Sequence, residues 1–461
     1  MKKFCSTIAC LTLLASVSSS QFNPDSVMIR SIFNEVLANG ECYENLRYLC
    51  KDIGARLSGS EEADKAIVWG KLTMEGLGMD TVYLQPVIVP HWTRGSVESG
   101  YLIDGEVQEE VQICALGGSV GTVGKLRAQV IEVKHLEELA ELGREKVEGK
   151  IVFFNRALDP LLINTGAAYG GAFDQRSKGA SEAARYGAVG ALVRSLTHAL
   201  DTFPHTGAMN YEEGVTHIPA AAISTVDARM LHGKLKENPE IEFQLQLSCQ
   251  NLPNVEQYNV IGELRGSENP DEYIVVGGHL DSWDIGEGAH DDGAGIVQSM
   301  EVARTFLALN YQPKHTLRVV LFINEENGNN GGKTYAKVAE EKGETHVAAI
   351  ESDSGGFTPR GYSMEGTDHQ YATVKGWQDL LEPYNLHLFR RGWSGVDIRP
   401  LKNDRVALFG LIPDSQRYFD FHHSRNDVFE QVHKRELELG ASSIAALIYL
   451  LDSDGISPNE N

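Results

Sequence analysis

Basic residues are scarce in this sequence. The 461 residues include 41 Lys and Arg against 64 Asp and Glu, which gives a formal net charge of −23. A strongly acidic chain is repelled by phosphate backbones and by anionic lipid surfaces. The charge balance therefore argues against nucleic acid or an anionic membrane surface as a partner. The length is enough for two or three domains.

Cysteine is also rare. Two of the six cysteines lie in the first ten residues, which leaves Cys42, Cys50, Cys114 and Cys249. Four cysteines in an exported chain allow three disulfide pairings. Cys42 and Cys50 fall on one predicted helix, about 12 Å apart at 1.5 Å per residue, which is beyond disulfide reach. We expect these two to be free, buried thiols. The chain after residue 20 also lacks an Asn-x-Ser/Thr acceptor for N-glycosylation, which favours a bacterial exported protein.

Long apolar runs are missing except at the N-terminus. Lys2-Lys3 is followed by the mostly apolar Phe4–Val17 and then by Ser18-Ser19-Ser20. This order is typical of a secretory signal peptide, and the run is too short to span a bilayer comfortably. We predict a signal peptide at residues 1–20 and an exported protein, periplasmic or extracellular, with no integral membrane segment. A buried N-terminal helix and a lipid anchor at Cys10 are less favoured alternatives.

The most informative stretch is Gly277–Gly295, which reads GGHLDSWDIGEGAHDDGAG. The apolar run Tyr273–Val276 before it predicts a buried parallel strand. His279 and Asp281 lie just beyond that strand, and Asp291 comes shortly before a predicted helix. Because ligands of open α/β sheets bind outside the carboxyl ends of the strands, this stretch is a candidate site.

The same arrangement recurs downstream. A second predicted strand, Leu317–Ile323, precedes Glu325-Glu326, and a third, Val347–Ile350, precedes Glu351-Ser352-Asp353. The paired histidines of Phe421-His422-His423-Ser424 come much later. Imidazole and carboxylate donors suit Zn²⁺. Three consecutive strands that all end in carboxylates, together with paired histidines, therefore indicate a metal site.

These motifs resemble those of a known family. In chain order, HLDSWD, DDGAG, EENG, ESDSG and FHHS are similar to motifs of the M28 family of co-catalytic zinc peptidases, and within it to the carboxypeptidase Q branch. GARLSGS and PHW near the N-terminus also match, so the resemblance covers about Asn34–Leu451. It implies an α/β fold, with a mixed, mostly parallel sheet flanked by helices and an inserted protease-associated domain. It also implies a secreted exopeptidase that acts on short peptides, chiefly dipeptides, and that forms a homodimer.

The resemblance further implies two Zn²⁺ ions per chain. Asp291 would bridge the two ions. His279 and Asp353 would complete one coordination sphere, and Glu326 and His423 the other. Three carboxylates and one bridging hydroxide balance the charge of two zinc ions, while neutral histidines add none.

Neighbouring acids receive supporting roles from the same resemblance. Glu325 would be the general base that takes a proton from the bridging water and passes it to the leaving amine. Asp281 would accept a hydrogen bond from the second nitrogen of the metal-binding imidazole two residues earlier. Asp292 would hold the turn behind the bridging carboxylate, through a cis peptide bond. Asp427 takes a similar place after the last ligand.

The resemblance also divides the chain. Residues 21–118 and 251–461 would form the catalytic domain, and residues 119–250 the inserted protease-associated domain, whose GKIVFF and AARYGAVGALV segments resemble that module. His205-Thr206-Gly207 of the insert would reach over the site as a substrate contact. Gly392–Asp397 aligns with a loop that borders the substrate.

Three alternatives compete with this hypothesis. One is an M28-type aminopeptidase that acts on longer peptides. A zinc amidohydrolase of the M20 type has a similar ligand order, but its large lid precedes the last histidine, and only 70 residues separate Asp353 from His423 (423 − 353). A non-catalytic, receptor-like protein on the same fold would be expected to have lost ligands, whereas all five ligand positions and Glu325 are filled here.

Overall fold

The strand predicted before the candidate site lies near the middle of an eight-stranded sheet. The computed structural model describes residues 23–459, so the predicted signal peptide, residues 1–20, lies outside the described residues. With strands numbered in chain order, the spatial order of this first sheet is β1 (Thr81–Thr93), β10 (Gln250–Leu264), β12 (His315–Phe322), β11 (Asn269–His279), β13 (Thr345–Glu351), β16 (Ala407–Pro413), β14 (Pro359–Glu365) and β15 (Leu388–Arg391).

The strands at the centre of the first sheet are parallel. β11 runs parallel to β12 on one side and to β13 on the other, and β13 runs parallel to β16. Antiparallel pairs occur on both sides of this group, at β1–β10, β10–β12 and β14–β16. His279 at the end of β11 pairs with Phe322 at the end of β12. The residues that follow these parallel strands therefore meet at one edge of the sheet, as the sequence predicts.

Helices cover both faces of the first sheet because its central strands are apolar on both sides. Ile274 and Val276 pack with one set of helices, whereas Val275 between them packs on the opposite face. The first face is covered by α1 (Pro24–Asn39), α2 (Cys42–Tyr48), α3 (Glu61–Leu77), α9 (Ala294–Ala308) and α14 (Lys434–Asp454), and the second by α10 (Asn330–Lys342). The shorter α11 (Asp368–Gly376), α12 (Gln378–Leu381) and α13 (Tyr418–Phe421) lie in the connections.

A second eight-stranded sheet is built by the chain between β1 and β10, and we call residues 98–247 the second-sheet unit. Its spatial order is β3 (Val107–Val111), β2 (Glu98–Asp104), β9 (Glu242–Leu247), β5 (Leu126–Val133), β6 (Ile151–Phe154), β7 (Gly190–Arg194), β8 (Ala220–Ile223) and β4 (Ile113–Ala115). Its helices are α4 (Glu137–Val147), α5 (Thr165–Gly170), α6 (Asp174–Ser177), α7 (Gly179–Arg185) and α8 (Thr225–Glu237).

The second sheet begins earlier in the chain than the predicted division at residue 119. β2, β3 and β4 precede that residue and pair with β9 and β8. From β5 to β8 the strands are parallel, and apolar clusters lie on both faces. The overall architecture is thus α/β, with two mixed sheets flanked by helices.

The expectation that Cys42 and Cys50 do not form a disulfide is confirmed. Cys42 and Cys50 are free and buried, and so are Cys114 and Cys249. Burial raises the pKa of the Cys50 and Cys114 thiols. Among residues 23–459, no helix combines the length and the apolar composition that crossing a membrane requires.

Arg56 joins the N-terminal segment to the loop after β11. Its side chain is 0 % exposed. Nε donates to the main-chain oxygen of Leu280 at 2.6 Å, Nη1 to that of Glu287 at 2.7 Å, and Nη2 to that of Gly288 at 3.0 Å. Because a buried cation must be solvated by the protein, these carbonyls and the guanidinium depend on one another. Arg56 therefore fixes the loop that leads to Asp291.

We expect Arg56→Met to lower the free energy of unfolding by about 3 kcal/mol or more, because it leaves the main-chain oxygens of Leu280 and Glu287 without their donor. Urea denaturation followed by circular dichroism would measure the change. Arg47→Met is the matched control, since Arg47 pairs with Glu44 and Asp52 at the surface and should contribute about 1 kcal/mol or less. Equal losses in the two variants would contradict the role assigned to Arg56.

Candidate metal centre

His279 ends β11, and its imidazole is 1 % exposed. Nδ1 lies 2.9 Å from the main-chain oxygen of Asp281. That oxygen can only accept, so Nδ1 carries the hydrogen. Nε2 faces the site, 3.2 Å from Asp291 Oδ1 and 3.6 Å from Asp353 Oδ1. A histidine that binds a metal through one nitrogen commonly donates from the other in this way.

Asp291 lies in the π-helical turn Ala289–Gly293, between β11 and α9, and is buried. Its main-chain N–H donates to the carboxylate of Asp427 at 3.1 Å. The carboxylate of Asp292 accepts the main-chain N–H of His279 at 3.1 Å. The peptide bond between Asp291 and Asp292 is cis. Asp292 therefore holds the turn that carries Asp291, as expected, and Asp427, which was expected to act beside His423, holds the same turn.

Glu325 and Glu326 follow β12 in a short loop that Asp281 holds. One carboxylate oxygen of Asp281 accepts the main-chain N–H groups of Asn324 and Glu325, at 2.7 and 3.0 Å. The same oxygen is 3.9 Å from His279 Nδ1. His279 Nδ1 therefore donates to the main-chain oxygen of Asp281 and not, as expected, to its carboxylate. The reason is that the Asp281 side chain turns towards the loop. The carboxylate positions Glu325.

The last histidine closes the site from the opposite side. Nε2 of His423 lies 3.3 Å from Asp291 Oδ2 and 3.1 Å from Glu326 Oε2. Its Nδ1 is 3.2 Å from the main-chain oxygen of Thr206, whose N–H donates to the His423 oxygen at 2.9 Å. Thr206 belongs to the second-sheet unit. The segment His205-Thr206-Gly207, expected to contact substrate, thus fastens the chain at His423.

The residues brought together fit a metal. Three overlapping groups of donors converge within 4.8 Å: His279, Asp291 and Glu326; His279, Asp292 and Asp353; and Asp291, His422 and His423. Buried oxygens of Asp291, Glu326 and Asp353 have no hydrogen-bond partner among the described residues. Buried carboxylate oxygens of this kind are normally paired or bound to a metal. Imidazole and carboxylate donors at such separations fit Zn²⁺.

Electrostatics point the same way. Burial raises the pKa of Glu325 well above its usual range, and the neighbouring carboxylates of Asp353 and Glu326 raise it further. Burial and the nearby Asp291 raise the pKa of Glu326 to about 7. Burial also raises the pKa of Asp353. So many buried acids favour a cation among them.

A cleft of about 940 Å³ leads to these residues and is lined by both units. Gly117 of the second-sheet unit lies so close to Trp283 that a Cβ there would come within 1.8 Å of the indole ring. Trp393 is 55 % exposed and also lines the cleft. Substrate therefore has access to the candidate centre between the two units.

Arg176 is a feature of the cleft that the sequence analysis missed. Its guanidinium is buried, with Nη1 donating to the Thr206 oxygen at 3.2 Å and Nη2 to the hydroxyl of Tyr169. It also lies over the rings of Tyr169 and Phe173, 5.4 and 5.0 Å from their centroids. Nε has no partner, and among residues 23–459 no carboxylate forms an ion pair with this group. Arg176 lies in the short helix α6, and no motif or spacing in the sequence marks it as a cleft residue.

The loop Gly392–Asp397 is anchored to the strand that carries Asp353. The carboxylate of Glu351, at the end of β13, accepts the main-chain N–H groups of Val396, Asp397 and Ile398, at 2.8, 3.0 and 2.9 Å. Asp397 itself is fully buried, and both of its carboxylate oxygens lack partners among the described residues. Val396 and Trp393 line the cleft, so this loop borders it.

Comparisons with known proteins agree with this geometry. The family model of Peptidase family M28 matches residues 259–448. Carboxypeptidase Q of Bos taurus is 34 % identical over 415 residues, which cover 90 % of this chain and 86 % of the relative. Carboxypeptidase Q of Xenopus laevis is 37 % identical over 391 residues, which cover 85 % of this chain and 81 % of the relative.

Solved structures show the same similarity. A peptidase M28 precursor from Shewanella amazonensis SB2B has a TM-score of 0.89 and 33 % identity, covering 95 % of this chain and 98 % of its own. An aminopeptidase from Aneurinibacillus sp. strain AM-1 has a TM-score of 0.61 at 19 % identity, covering 94 % of this chain and 97 % of its own. The second of these likenesses shows the fold alone.

We expect Asp281→Ala to lower kcat about 10- to 100-fold, because the loop that carries Glu325 loses its acceptor. Zinc content at saturating zinc should stay unchanged, since His279 is held by a main-chain oxygen. Asp281→Asn is the control: its carboxamide oxygen can still accept the two N–H groups, so most activity should remain. Loss of zinc in Asp281→Ala, with normal turnover when zinc is restored, would show that the side chain acts through His279.

Proposed function

The chain belongs to peptidase family M28 and is a metallo-exopeptidase, and we propose that it is an exported di-zinc enzyme that hydrolyses short peptides, chiefly dipeptides. The observation that carries the proposal is the position of Asp291. One of its carboxylate oxygens faces His279 and the other faces His423. A carboxylate placed between two imidazoles in this way is suited to bridge two metal ions.

The remaining donors divide around that bridge. His279 and Asp353 would hold one zinc with Asp291, and Glu326 and His423 the other. Zinc bound there would lower the pKa of a water molecule and polarise the scissile carbonyl. The three carboxylates leave one positive charge for that nucleophile to balance.

Glu325 moves the proton in this proposal. Its main chain is fixed by Asp281, and its side chain lines the cleft beside Glu326. One carboxylate oxygen of Glu325 would accept the proton of the attacking water and then pass it to the nitrogen of the leaving amine. The neighbouring Glu326 has a different role, because only its carboxylate lies against His423.

We expect the wild-type protein to bind two zinc ions per chain and Glu325→Gln to keep both while losing about 10²–10⁴-fold or more in kcat. KM should change less, because proton transfer acts mainly in the transition state. Glu326→Gln is the matched variant and should lose metal as well as activity. The measurement is elemental analysis beside dipeptide turnover. The two glutamates are assigned wrongly if Glu325→Gln sheds zinc or turns over normally.

Arg176 supports recognition of a free carboxyl end. It is a buried cation on the cleft wall, with Nη1 3.3 Å from His423 Nδ1, so one imidazole ring separates it from the metal-binding Nε2. One extended residue spans about 3.3–3.6 Å. The carboxylate of a residue directly after the scissile bond can therefore reach the guanidinium, with which it would form charge-assisted hydrogen bonds.

The aminopeptidase alternative finds less support in the cleft. A free amino end needs a carboxylate partner. Among the described residues that line the cleft, the carboxylates are Asp291, Glu325, Glu326 and Asp353, which are all occupied by the proposed metal chemistry. The cleft thus favours a carboxypeptidase or dipeptidase.

We expect Arg176→Met to lower kcat/KM for dipeptides with a free carboxylate about 10- to 100-fold, the value of one charge-assisted hydrogen bond. A dipeptide amide should be a poor substrate of the wild type, and the variant should cleave it no worse. Arg176→Lys, which keeps the charge, should recover part of the loss. Equal losses on the acid and the amide would show that Arg176 acts by holding Thr206 and Tyr169.

Three further properties belong to this proposal. Residues 1–20 would direct export, which the order of basic, apolar and small residues supports. The second-sheet unit would be the protease-associated domain, predicted at residues 119–250, with GKIVFF on β6 and strands that start at Glu98. Homodimer formation would follow from the resemblance to the carboxypeptidase Q branch.

A further inference from the structure

His422 lies beside the candidate metal centre but has no role in the mechanism above. Its ring lines the cleft, and Nε2 is 3.7 Å from Asp291 Oδ2. Its main-chain oxygen accepts a hydrogen bond from Nδ1 of His205 at 2.7 Å. The ring nitrogens, in contrast, have no hydrogen-bond partner among residues 23–459. Since the ring lines the cleft, its nitrogens are open to a ligand bound there.

The surroundings of His422 argue against a metal ligand. His423 faces two carboxylates, of Asp291 and Glu326, and its Nδ1 is held by Thr206. His422 faces only Asp291, and nothing in the described chain holds its second nitrogen. Metal-binding histidines almost always have that second contact. The two adjacent histidines therefore have different roles.

The ring of His422 is nevertheless held rigidly. It stacks on His423 with a centroid distance of 3.5 Å. Tyr169 and Phe419 meet it edge to face and Tyr418 is tilted against it, each at 5.2 Å. The main-chain bond to His205 fixes the backbone behind it. A donor fixed before the reaction begins is what stabilises developing charge most effectively.

We propose that the imidazole of His422 donates a hydrogen bond to the oxygen of the scissile carbonyl as it becomes an oxyanion. The inference rests on the proposed peptidase function and adds a catalytic residue to it. The ring lies within 4 Å of the carboxylate at the centre of the site and opens onto the cleft, so it is adjacent to the reacting carbonyl. His422 forms no covalent bond and transfers no proton. Its N–H contributes only a hydrogen bond, which strengthens in the transition state.

The test compares His422→Phe, which keeps an aromatic ring in the cage, with His422→Gln, which keeps a donor. The phenylalanine variant should lose about 10²–10³-fold in kcat, with little change in KM and the same zinc content as the wild type. Its affinity for a phosphinic analogue of the dipeptide should fall by a similar factor, while binding of the product amino acid should not change. The glutamine variant should recover part of both losses.

Three results would overturn the proposal. Loss of zinc from His422→Phe would make His422 a ligand. Turnover and phosphinate affinity near wild type in that variant would leave the ring without a catalytic role. A loss in Tyr418→Phe but not in His422→Phe would assign the hydrogen bond to the Tyr418 hydroxyl, which also lines the cleft.

The experiment separates this inference from the proposed function. All variants are assayed on whichever peptide the wild-type enzyme cleaves. If the proposed substrate class is wrong, the wild type cleaves a different class of substrate. If the role of His422 is wrong, His422→Phe and the wild type cleave that substrate at equal rates. If His422→Phe does not fold, the NMR signal of the His422 imidazole N–H in isotope-labelled wild-type protein decides the question. That signal is assigned by its absence from the spectrum of His422→Gln. A downfield shift of that proton on phosphinate binding supports the proposal, and an unchanged signal overturns it.

Discussion

The burial of several carboxylates around one point is the constraint on which the rest of the structure depends. Asp291, Glu325, Glu326 and Asp353 lie together at the carboxyl edge of the first sheet. Burial raises the pKa of Glu325, Glu326 and Asp353, and neighbouring carboxylates raise it further. Burial also acts on Asp291, but the imidazoles of His279 and His423 hold its pKa well below the usual range. The fold must hold these groups close while a bound cation supplies the opposite charge, so it needs anchors that do not themselves neutralise them.

Main-chain N–H groups provide those anchors, and a second ring of acids accepts them. Asp292 binds the N–H of His279, and Asp427 that of Asp291. Asp281 binds the N–H of Glu325. In each case the accepting carboxylate fixes the backbone of a functional residue and leaves that residue's side chain free. This division explains why the motifs contain more acids than the donors of a metal centre.

The meeting of His279, Glu326 and Asp353 could be predicted because these residues follow β11, β12 and β13, and parallel strands end at one edge. The function of Asp281 was harder, because a spacing of two residues from His279 suggests contact between side chains, whereas the main-chain oxygen makes that contact. The contribution of the second-sheet unit could not be predicted at all. Thr206 holds His423 through its carbonyl across 217 residues, and a main-chain carbonyl leaves no mark on the sequence. Arg176 donates to the same Thr206 oxygen and lies 3.3 Å from His423 Nδ1, so its place beside His423 depends on the same docking.

This docking also bears on the size of substrate. The main-chain N–H of Thr206 donates to the His423 oxygen, and Nδ1 of His205 to the His422 oxygen, so the second-sheet unit is fastened to the chain at these two histidines. In the proposed function, a polypeptide that continued past His423 would compete with these bonds and with the carbonyl that orients His423. A peptide that ends within one residue of the scissile bond would avoid that conflict, and the proposed function would place its carboxylate beside Arg176. The contact that orients His423, a proposed metal ligand, therefore agrees with an exopeptidase rather than an endopeptidase.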